Sequence, residues 1–477
     1  MTSPTPAAAA AMLRSRSYWV LLAIAALIGI PVSAVAYFFL DLVSELQHWI
    51  FTSLPAALGF HGEPIWWPAP PLLLAGLLVA LAIRYLPGTA GHEPADGLNT
   101  HGAPGPAQLP GVILAALATL ALGAVLGPEA PLIALGGGLA VCVVRLGRRA
   151  APAPVQAMVA AAGSFAAISA LFGSPLLGAF LLMEAVGLGG LSLELVLLPG
   201  LLAAGIGSVV FVGLGHWTGL GTFSLQVGHL PHVGSPRPSE FAWAVVIGLA
   251  AALLGTGIRQ LALRARTVVT RGRLLLTPVA GLAVAGLAMA YAAGTGRPSG
   301  EVLFSGQTAL PSLAGHAAGY SVAALLLLVA CKSLAYGISL SGFRGGPVFP
   351  ALFIGAAGGI ALAHLPGLGT VAGMAMGIGA MCTVMLRLPL TSVLLATLLL
   401  YSAGVGVMPL VIVAVVVAYV VSARFVPDPA APDAPVPGTS GTAGAAADRA
   451  AAGAGTPAGS SVPGARPAPA GRSRSGR

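Results

Sequence analysis

One acid in an apolar setting is the residue of this sequence best placed to act on an anion. Glu129 lies in the stretch 127–131, Gly-Pro-Glu-Ala-Pro, which opens a long apolar run. Because proline is tolerated in the first turn of a helix, the stretch predicts a helix N-terminus at membrane depth. Such an end has unpaired N–H groups and about +0.5 of a charge, which attracts anions. Glu129 is therefore predicted to compete with an anion for this helix end.

The same spacing recurs at 346–350, Gly-Pro-Val-Phe-Pro, which contains no acid. A second landmark follows each copy, because the Pro175-Leu176 segment is matched by Pro389-Leu390 in the same order. Interrupted helices at corresponding places of two halves indicate a transporter's binding site. The duplication favours an anion site between two repeats. The alternative is that each copy is only a loop that enters a packed helix.

Two further features could contribute to such a site. Glu184 is a second acid at membrane depth, and it could carry protons or could be a structural acid paired with an N–H group or an arginine. The polar passage 88–110 contains His92 and Glu93. It could be a surface loop, or its first part could re-enter the membrane and bring His92 or Glu93 to the anion.

The composition determines the class of protein that must position these residues. Of 477 residues, 57% are hydrophobic and 7% are charged, and the mean hydropathy is +0.93. These values exclude an ordinary soluble domain and predict an all-α polytopic membrane protein. At about 20 residues per span, the chain has room for a dozen or more helical segments. The first apolar run is too long for a signal peptide and is predicted to be the first membrane helix.

The net charge of +9 is better explained by membrane topology than by binding of nucleic acid, because the arginines lie in short loops and at the C-terminal end. Arg14 and Arg16 precede the first span and predict a cytoplasmic N-terminus. The basic stretch 259–273 predicts another cytoplasmic connection. The three cysteines are far apart and indicate neither a disulfide framework nor a metal site, and no cofactor is expected.

Landmarks and composition divide the chain into five parts. We predict a mobile N-terminal segment at 1–16, a first membrane repeat at 17–214, an inter-repeat loop at 215–240, a second repeat at 241–425 and a disordered Ala/Pro/Gly-rich tail at 426–477 without a regulatory domain. The sequence has no Gly-x-Ser-x-Gly and no His-Glu-x-x-His, so an enzyme is not predicted.

The order of the motifs at 91–94, 127–131, 175–184, 345–350 and 389–391 resembles that of the CLC family of voltage-gated chloride channels and chloride/proton antiporters. The resemblance covers roughly residues 18–425 and is that of a divergent bacterial-type member. It implies two inverted helical repeats whose broken helices meet at mid-membrane. It also implies a homodimer in the lipid bilayer of the cell membrane, with one pore per subunit, halide at helix N-termini and Glu129 as the gate.

Some positions depart from the family pattern. The family's anion-binding serine corresponds to His92 or is lost, and Pro347 has no N–H, which leaves Val348 and Phe349 as backbone donors. The family's closing tyrosine would fall near Ala430. The anion-binding residues implied by the resemblance are His92, Gly127, Ala130, Gly346, Val348 and Phe349.

The family's internal proton acceptor is the second acid of a pair, and its position holds Ala185, beside Glu184. This departure favours a channel for chloride or a related anion. The alternatives are a proton-coupled chloride antiporter, with Glu184 as a possible part of the proton pathway, and a transporter of the same fold for another anion such as fluoride.

Overall fold

The computed structural model describes residues 11, 13–97, 103–147, 152–186, 191–220, 227 and 230–425. Regular structure within them is helical. The helices are α1 (Arg16–His48), α2 (Leu54–Ala57), α3 (Ala69–Tyr85), α4 (Leu109–Ala121), α5 (Glu129–Gly147), α6 (Ala153–Phe172), α7 (Pro175–Val186), α8 (Leu191–Thr218), α9 (Pro238–Val269), α10 (Arg273–Thr295), α11 (Ala309–Gly315), α12 (Val322–Gly342), α13 (Val348–Leu362), α14 (Thr370–Leu386), α15 (Pro389–Leu399) and α16 (Met408–Ala423). The predicted tail, Ala430 included, lies outside the described residues.

Within the described residues, six helical segments are long and apolar enough to cross a membrane, which confirms the prediction of a polytopic all-α protein. They are Arg16–Ala57, Glu129–Leu146, Val155–Phe172, Leu195–Thr218, Pro238–Thr295 and Val322–Gly342. Shorter apolar helices lie between these segments in the chain or, like α13, the counterpart of α5, after the last of them. Helices α8 and α9 both extend into the stretch 215–240 that was predicted to be a loop.

Polar caps and prolines determine where these helices begin. The Ser15 hydroxyl accepts a hydrogen bond from the Tyr18 N–H at 3.2 Å, and Ser321 caps α12 in the same way through the Ala324 N–H. Helices α7 and α15 both begin at a proline, where the missing N–H would have had no partner inside the helix. The sequence therefore specifies short helices that start inside the protein.

Glycines let the two repeats build the same close helix pair. A Cβ atom at Gly136 of α5 would lie 2.5 Å from the Gly163 carbonyl oxygen of α6. Gly355 of α13 and Gly377 of α14 meet in the same backbone-to-backbone manner. Small residues at such positions let two helices approach closely inside a membrane, where the hydrophobic effect does not drive helices together. Corresponding helices of the two halves therefore pack alike, as two inverted repeats require.

The two proline motifs meet at their first glycines. The Gly127 N–H donates to the Gly346 oxygen at 2.8 Å, and the Gly346 N–H donates to the Gly127 oxygen at 2.6 Å. This exchange is an isolated antiparallel bridge, and all of it is buried. It holds the start of α5 against the start of α13, so two helix N-termini face each other inside the protein.

Candidate functional site

The Glu129 carboxylate lies between these two helix ends. Glu129 is the first residue of α5, yet its Oε1 accepts a hydrogen bond at 2.7 Å from the Phe349 N–H in the first turn of α13. The side chain is completely buried, and Oε2 accepts no hydrogen bond from the described residues. An acid of the first repeat thus caps a helix of the second, and it does so with only one oxygen.

The two bridging glycines make room for the carboxylate. A Cβ atom at Gly127 or at Gly346 would overlap the carboxylate oxygens of Glu129. The Val348 N–H also lies close to this carboxylate. Of the sequence-predicted anion ligands, Gly127, Gly346, Val348 and Phe349 are therefore gathered around one point, which the carboxylate fills.

Side chains that sequence reasoning did not single out hold this arrangement. The Tyr336 hydroxyl donates to the Pro347 oxygen at 2.8 Å, and the Ser339 hydroxyl accepts from the Val125 N–H at 3.1 Å. Both residues belong to α12, so one helix fixes the approach to both motifs. The sequence feature that could have identified these two residues is a pair of polar side chains three positions apart in an apolar helix. The Phe172 ring stacks on Phe349, with ring centroids 5.5 Å apart.

His92 lies beside the site rather than against the carboxylate. It is exposed and lines a cavity of about 310 Å³, which Ala130 and Gly345 also border. The surrounding chain forms two short 3-10 turns, Pro87–Ala90 and Pro94–Asp96. The polar passage therefore reaches the cavity beside the start of α5, and re-entry of its first part into the membrane stays a prediction.

Glu93 belongs to an arginine cluster, not to the anion site. Its Oε1 is 2.5 Å from Arg273 Nη2, and its Oε2 is 3.5 Å from Arg266 Nη1. Burial acts to raise the pKa of Glu93, but the hydrogen bond from Arg273 and the charges of Arg344, Arg273 and Arg266 outweigh it and lower the pKa. Glu93 is thus a carboxylate that ties its loop to the connection between α9 and α10.

Glu184 caps a different helix of the second repeat. Its Oε1 accepts from the Leu390 N–H at 3.0 Å, and its Oε2 accepts from the Thr391 N–H at 2.7 Å and hydroxyl at 2.6 Å. These donors form the first turn of α15. The geometry is that of a fully satisfied helix cap, which matches the structural interpretation of this acid.

Comparison with known proteins covers most of the chain. A family model described as voltage gated chloride channel matches residues 75–423. The "Putative ion-transport protein YfeO" of Salmonella schwarzengrund (strain CVM19633) is 31% identical over 362 residues, which cover 74% of this chain and 82% of that protein. Its namesake from Escherichia coli O1:K1 / APEC is 30% identical over 359 residues, with 74% and 81% covered.

Two solved structures show the same fold. That of a slow cyanobacterial Cl⁻/H⁺ antiporter has a TM-score of 0.70 and 19% identity, and the match covers 86% of this chain and 95% of that one. That of a CLC-type fluoride/proton antiporter has a TM-score of 0.59 and 22% identity, with 85% and 96% covered. The predicted architecture of inverted repeats with broken helices at mid-membrane is confirmed.

Proposed function

This chain belongs to the voltage-gated chloride channel family, and we propose that it moves chloride or a related small anion through a pore gated by Glu129. Membership makes it a channel or transporter of anions and not an enzyme. The observation that carries the proposed gate is the 2.7 Å hydrogen bond from the Phe349 N–H to Glu129 Oε1. The carboxylate occupies the helix end to which an anion would bind.

The gate works by competition between two negative charges. An anion at the α13 N-terminus would take the N–H groups of Phe349 and Val348 and would gain from the positive helix end. It would have to displace the carboxylate, which holds that end through one oxygen only. The other implied ligands, Gly127, Gly346 and Ala130, border the same space. His92 would meet the anion earlier, at the cavity.

Passive conduction is our preferred mode. Ala185 supplies no second acid, and the neighbouring Glu184 has both oxygens engaged by the first turn of α15. A carboxylate with three hydrogen bonds is a poor proton shuttle, since each bond must break before the group turns. Proton-coupled chloride exchange through Glu184, and transport of fluoride, are the other outcomes of the flux tests below.

The direction of the chain in the membrane follows from its arginines. We propose that α1 and the shorter apolar helix α3 cross the membrane in opposite directions, which would put the loop at 88–97 on the side where α1 begins. That loop is bound to the α9–α10 connection through Asp96–Arg266 and Glu93–Arg273. We propose that this arginine-rich side is the cytoplasmic face of the cell membrane. The family pattern further suggests a homodimer, which light scattering of the purified protein in detergent would test.

Flux from liposomes tests the gate. Purified protein in chloride-loaded liposomes should release chloride, and Glu129→Gln should raise the rate about tenfold because a neutral amide competes less well than a carboxylate. Protonation would also neutralise the Glu129 carboxylate, so the wild-type rate should rise as the pH falls, and Glu129→Gln should abolish this pH dependence. Glu240→Gln is the matched control, since Glu240 Oε2 also accepts a helix N-terminal N–H, that of Arg237. No flux of any halide or nitrate would refute the proposed function.

A pH electrode in the same assay separates conduction from exchange. With a chloride gradient and no imposed proton gradient, a channel leaves the pH unchanged, whereas an exchanger drives protons uphill. Uphill movement abolished by Glu184→Gln would overturn our preference for a channel and assign the proton pathway to Glu184. Competition by fluoride in the same liposomes would identify the preferred anion.

A further inference from the structure

Arg344 is a buried cation that shares its nearest described carboxylate, Glu93, with Arg273. It stands directly before Gly345 and Gly346 at the start of the second motif, and only 4% of its surface is exposed. Its Nε and Nη2 donate to the Thr89 oxygen at 3.4 and 3.3 Å, and its Nη1 donates to the Phe343 oxygen at 3.3 Å. Both acceptors are neutral carbonyls, so these bonds orient the guanidinium without matching its charge.

The two carboxylates on this side are already held by other arginines. Asp96 Oδ1 is 2.5 Å from Arg266 Nη1, and Glu93 Oε1 is 2.5 Å from Arg273 Nη2. Arg344 Nη2 lies 3.6 Å from the same Glu93 oxygen, which is close enough for an ion pair but too long for a hydrogen bond. Three arginines therefore share two acids, and this cluster has one excess positive charge within the described part of the chain.

The excess charge lies next to a cavity. Arg344 lines the 310 Å³ cavity that Ala130 and Gly345 border. A buried charge that is only partly matched is costly, and a counter-ion that completes the pairing lowers this cost. The cavity is the place where a counter-ion can reach this guanidinium, and the side chains of Gln108 and Ser164 add polar lining.

We propose that a small monovalent anion binds in this cavity and neutralises Arg344. Arg344 thereby raises the local concentration of anions beside the pore. The inference rests on the proposed function and deepens it by naming a cationic side chain that selects and concentrates the substrate. Ala130 follows Glu129 in the chain, and Gly345 precedes Gly346. An anion held beside Arg344 is therefore next to the helix ends that the Glu129 carboxylate occupies. Glu93 opposes this role, because its charge reduces the excess.

Binding of chloride to the purified full-length protein tests the assignment without transport. Titration calorimetry in detergent, with isethionate as the background anion, gives the chloride dissociation constant for the wild type and for Arg344→Gln, Arg344→Lys and Glu93→Gln. Arg344→Gln should weaken binding about tenfold or more, and Arg344→Lys should stay within about threefold. Glu93→Gln should tighten binding, because it removes an opposing charge. Arg297→Gln is the control, since Arg297 also donates to a backbone oxygen, that of Gly319, away from the cavity.

The opposite signs expected for Glu93 and Arg344 distinguish a binding role from a structural one. If the cluster merely holds the fold together, both substitutions should loosen it and weaken binding alike, which would overturn the proposal. Unchanged chloride affinity in Arg344→Gln would also overturn it. Should Arg344→Gln fail to fold, Glu93→Gln still decides, since tighter binding supports the proposal and equal or weaker binding refutes it.

A failure of the proposal for Arg344 can be distinguished from a failure of the proposed function. A protein that releases no chloride from liposomes would refute anion transport whatever the calorimetry shows. Normal wild-type flux with a strong Glu129→Gln effect, together with unchanged binding in Arg344→Gln, would remove Arg344 from the pathway and leave the gate intact.

Discussion

Glu129 and Glu184 each cap a helix N-terminus, but they accept different numbers of hydrogen bonds there. Each is an acid of the first repeat, and each reaches the N-terminus of a second-repeat helix, α13 for Glu129 and α15 for Glu184. Glu184 uses both oxygens and three hydrogen bonds, one of them from the Thr391 hydroxyl. Glu129 accepts one hydrogen bond from the described residues, through one oxygen and with the Val348 N–H nearby, and it is the more deeply buried of the two. A complete cap is stable where it is, whereas an incomplete one can be exchanged for a ligand.

The two repeats therefore contribute different parts to one site. The first supplies the acid, and the second has Val348 at the position that corresponds to Glu129. Two carboxylates at facing helix ends would repel each other, so the valine allows a single carboxylate to lie between the two ends. The pairing of Gly127 with Gly346 keeps the backbone symmetric while the side chains differ.

The largest effect should come from filling the space under the Glu129 carboxylate. In Gly346→Ala the new methyl group would overlap Oε2, while its distance to the Ala130 nitrogen would be 3.0 Å. We expect the carboxylate to leave the α13 N-terminus, with an anion flux resembling that of Glu129→Ala and a loss of about 2–3 kcal/mol in stability. Liposome flux and thermal unfolding in detergent measure both effects.

A double substitution sharpens this prediction. Glu129→Ala removes the clashing atoms, so Gly346→Ala should cost at least about 1 kcal/mol less in that background than in the wild type. Additive losses would mean that the methyl group is rejected by the backbone bridge alone. In that case the contact at Gly346 would no longer support the view that the Glu129 cap is exchangeable whereas the Glu184 cap is fixed.

A smaller effect is expected at the complete cap. Thr391→Val removes the hydroxyl that donates to Glu184 Oε2 and should cost about 1–2 kcal/mol without changing anion flux. Thr397→Val is the matched control on the same helix, because its hydroxyl donates only to the Val393 oxygen of the preceding turn. A chloride flux altered by Thr391→Val as strongly as by Glu129→Gln would show that Glu184 is also part of the pathway.

Glu93 offers a third carboxylate for comparison, one matched by cations at the surface. Because the folded-state pKa of Glu93 lies below its ordinary value of 4.5, its contribution to stability is present above pH 4.5 and is lost as the pH falls through the lowered value. The group is 29% exposed, so the contribution should stay below about 1 kcal/mol. Glu93→Gln should flatten the fall in melting temperature below pH 4.5, and an unchanged acid limb would contradict this.

The sequence predicted the local parts of this design. Proline spacing gave two helix starts, glycine and apolar content gave broken membrane helices, and the isolated acid gave Glu129. Each of these is a property of neighbouring residues. The duplicated motif also predicted that the two helix ends belong to one site, since inverted repeats bring corresponding elements together.

Contacts between distant residues were beyond that reasoning. Glu129 was expected to benefit from its own helix end, but its hydrogen-bond donor is 220 residues away at Phe349. The support of Pro347 by Tyr336 and the charge of Arg344 were missed for the same reason, since spacing does not show which carbonyl a hydroxyl reaches. For Arg344 a signal existed, because it is a lone arginine before Gly-Gly-Pro at membrane depth.

The smallest expected effect concerns the turns that precede α7 and α15. Gly173 and Arg387 occupy corresponding places, and both have a left-handed backbone with φ of 63°. A left-handed conformation costs about 1 kcal/mol more for a side-chain-bearing residue than for glycine. Arg387→Gly should therefore stabilise the protein by roughly 0.5–1 kcal/mol and raise its melting temperature by about 1–2 °C. Gly173→Ala is the reverse control and should lower it. A lower melting temperature for Arg387→Gly would mean that the arginine side chain, which lines a second cavity beside Asp96 and Arg259, stabilises the fold by more than its backbone strain costs.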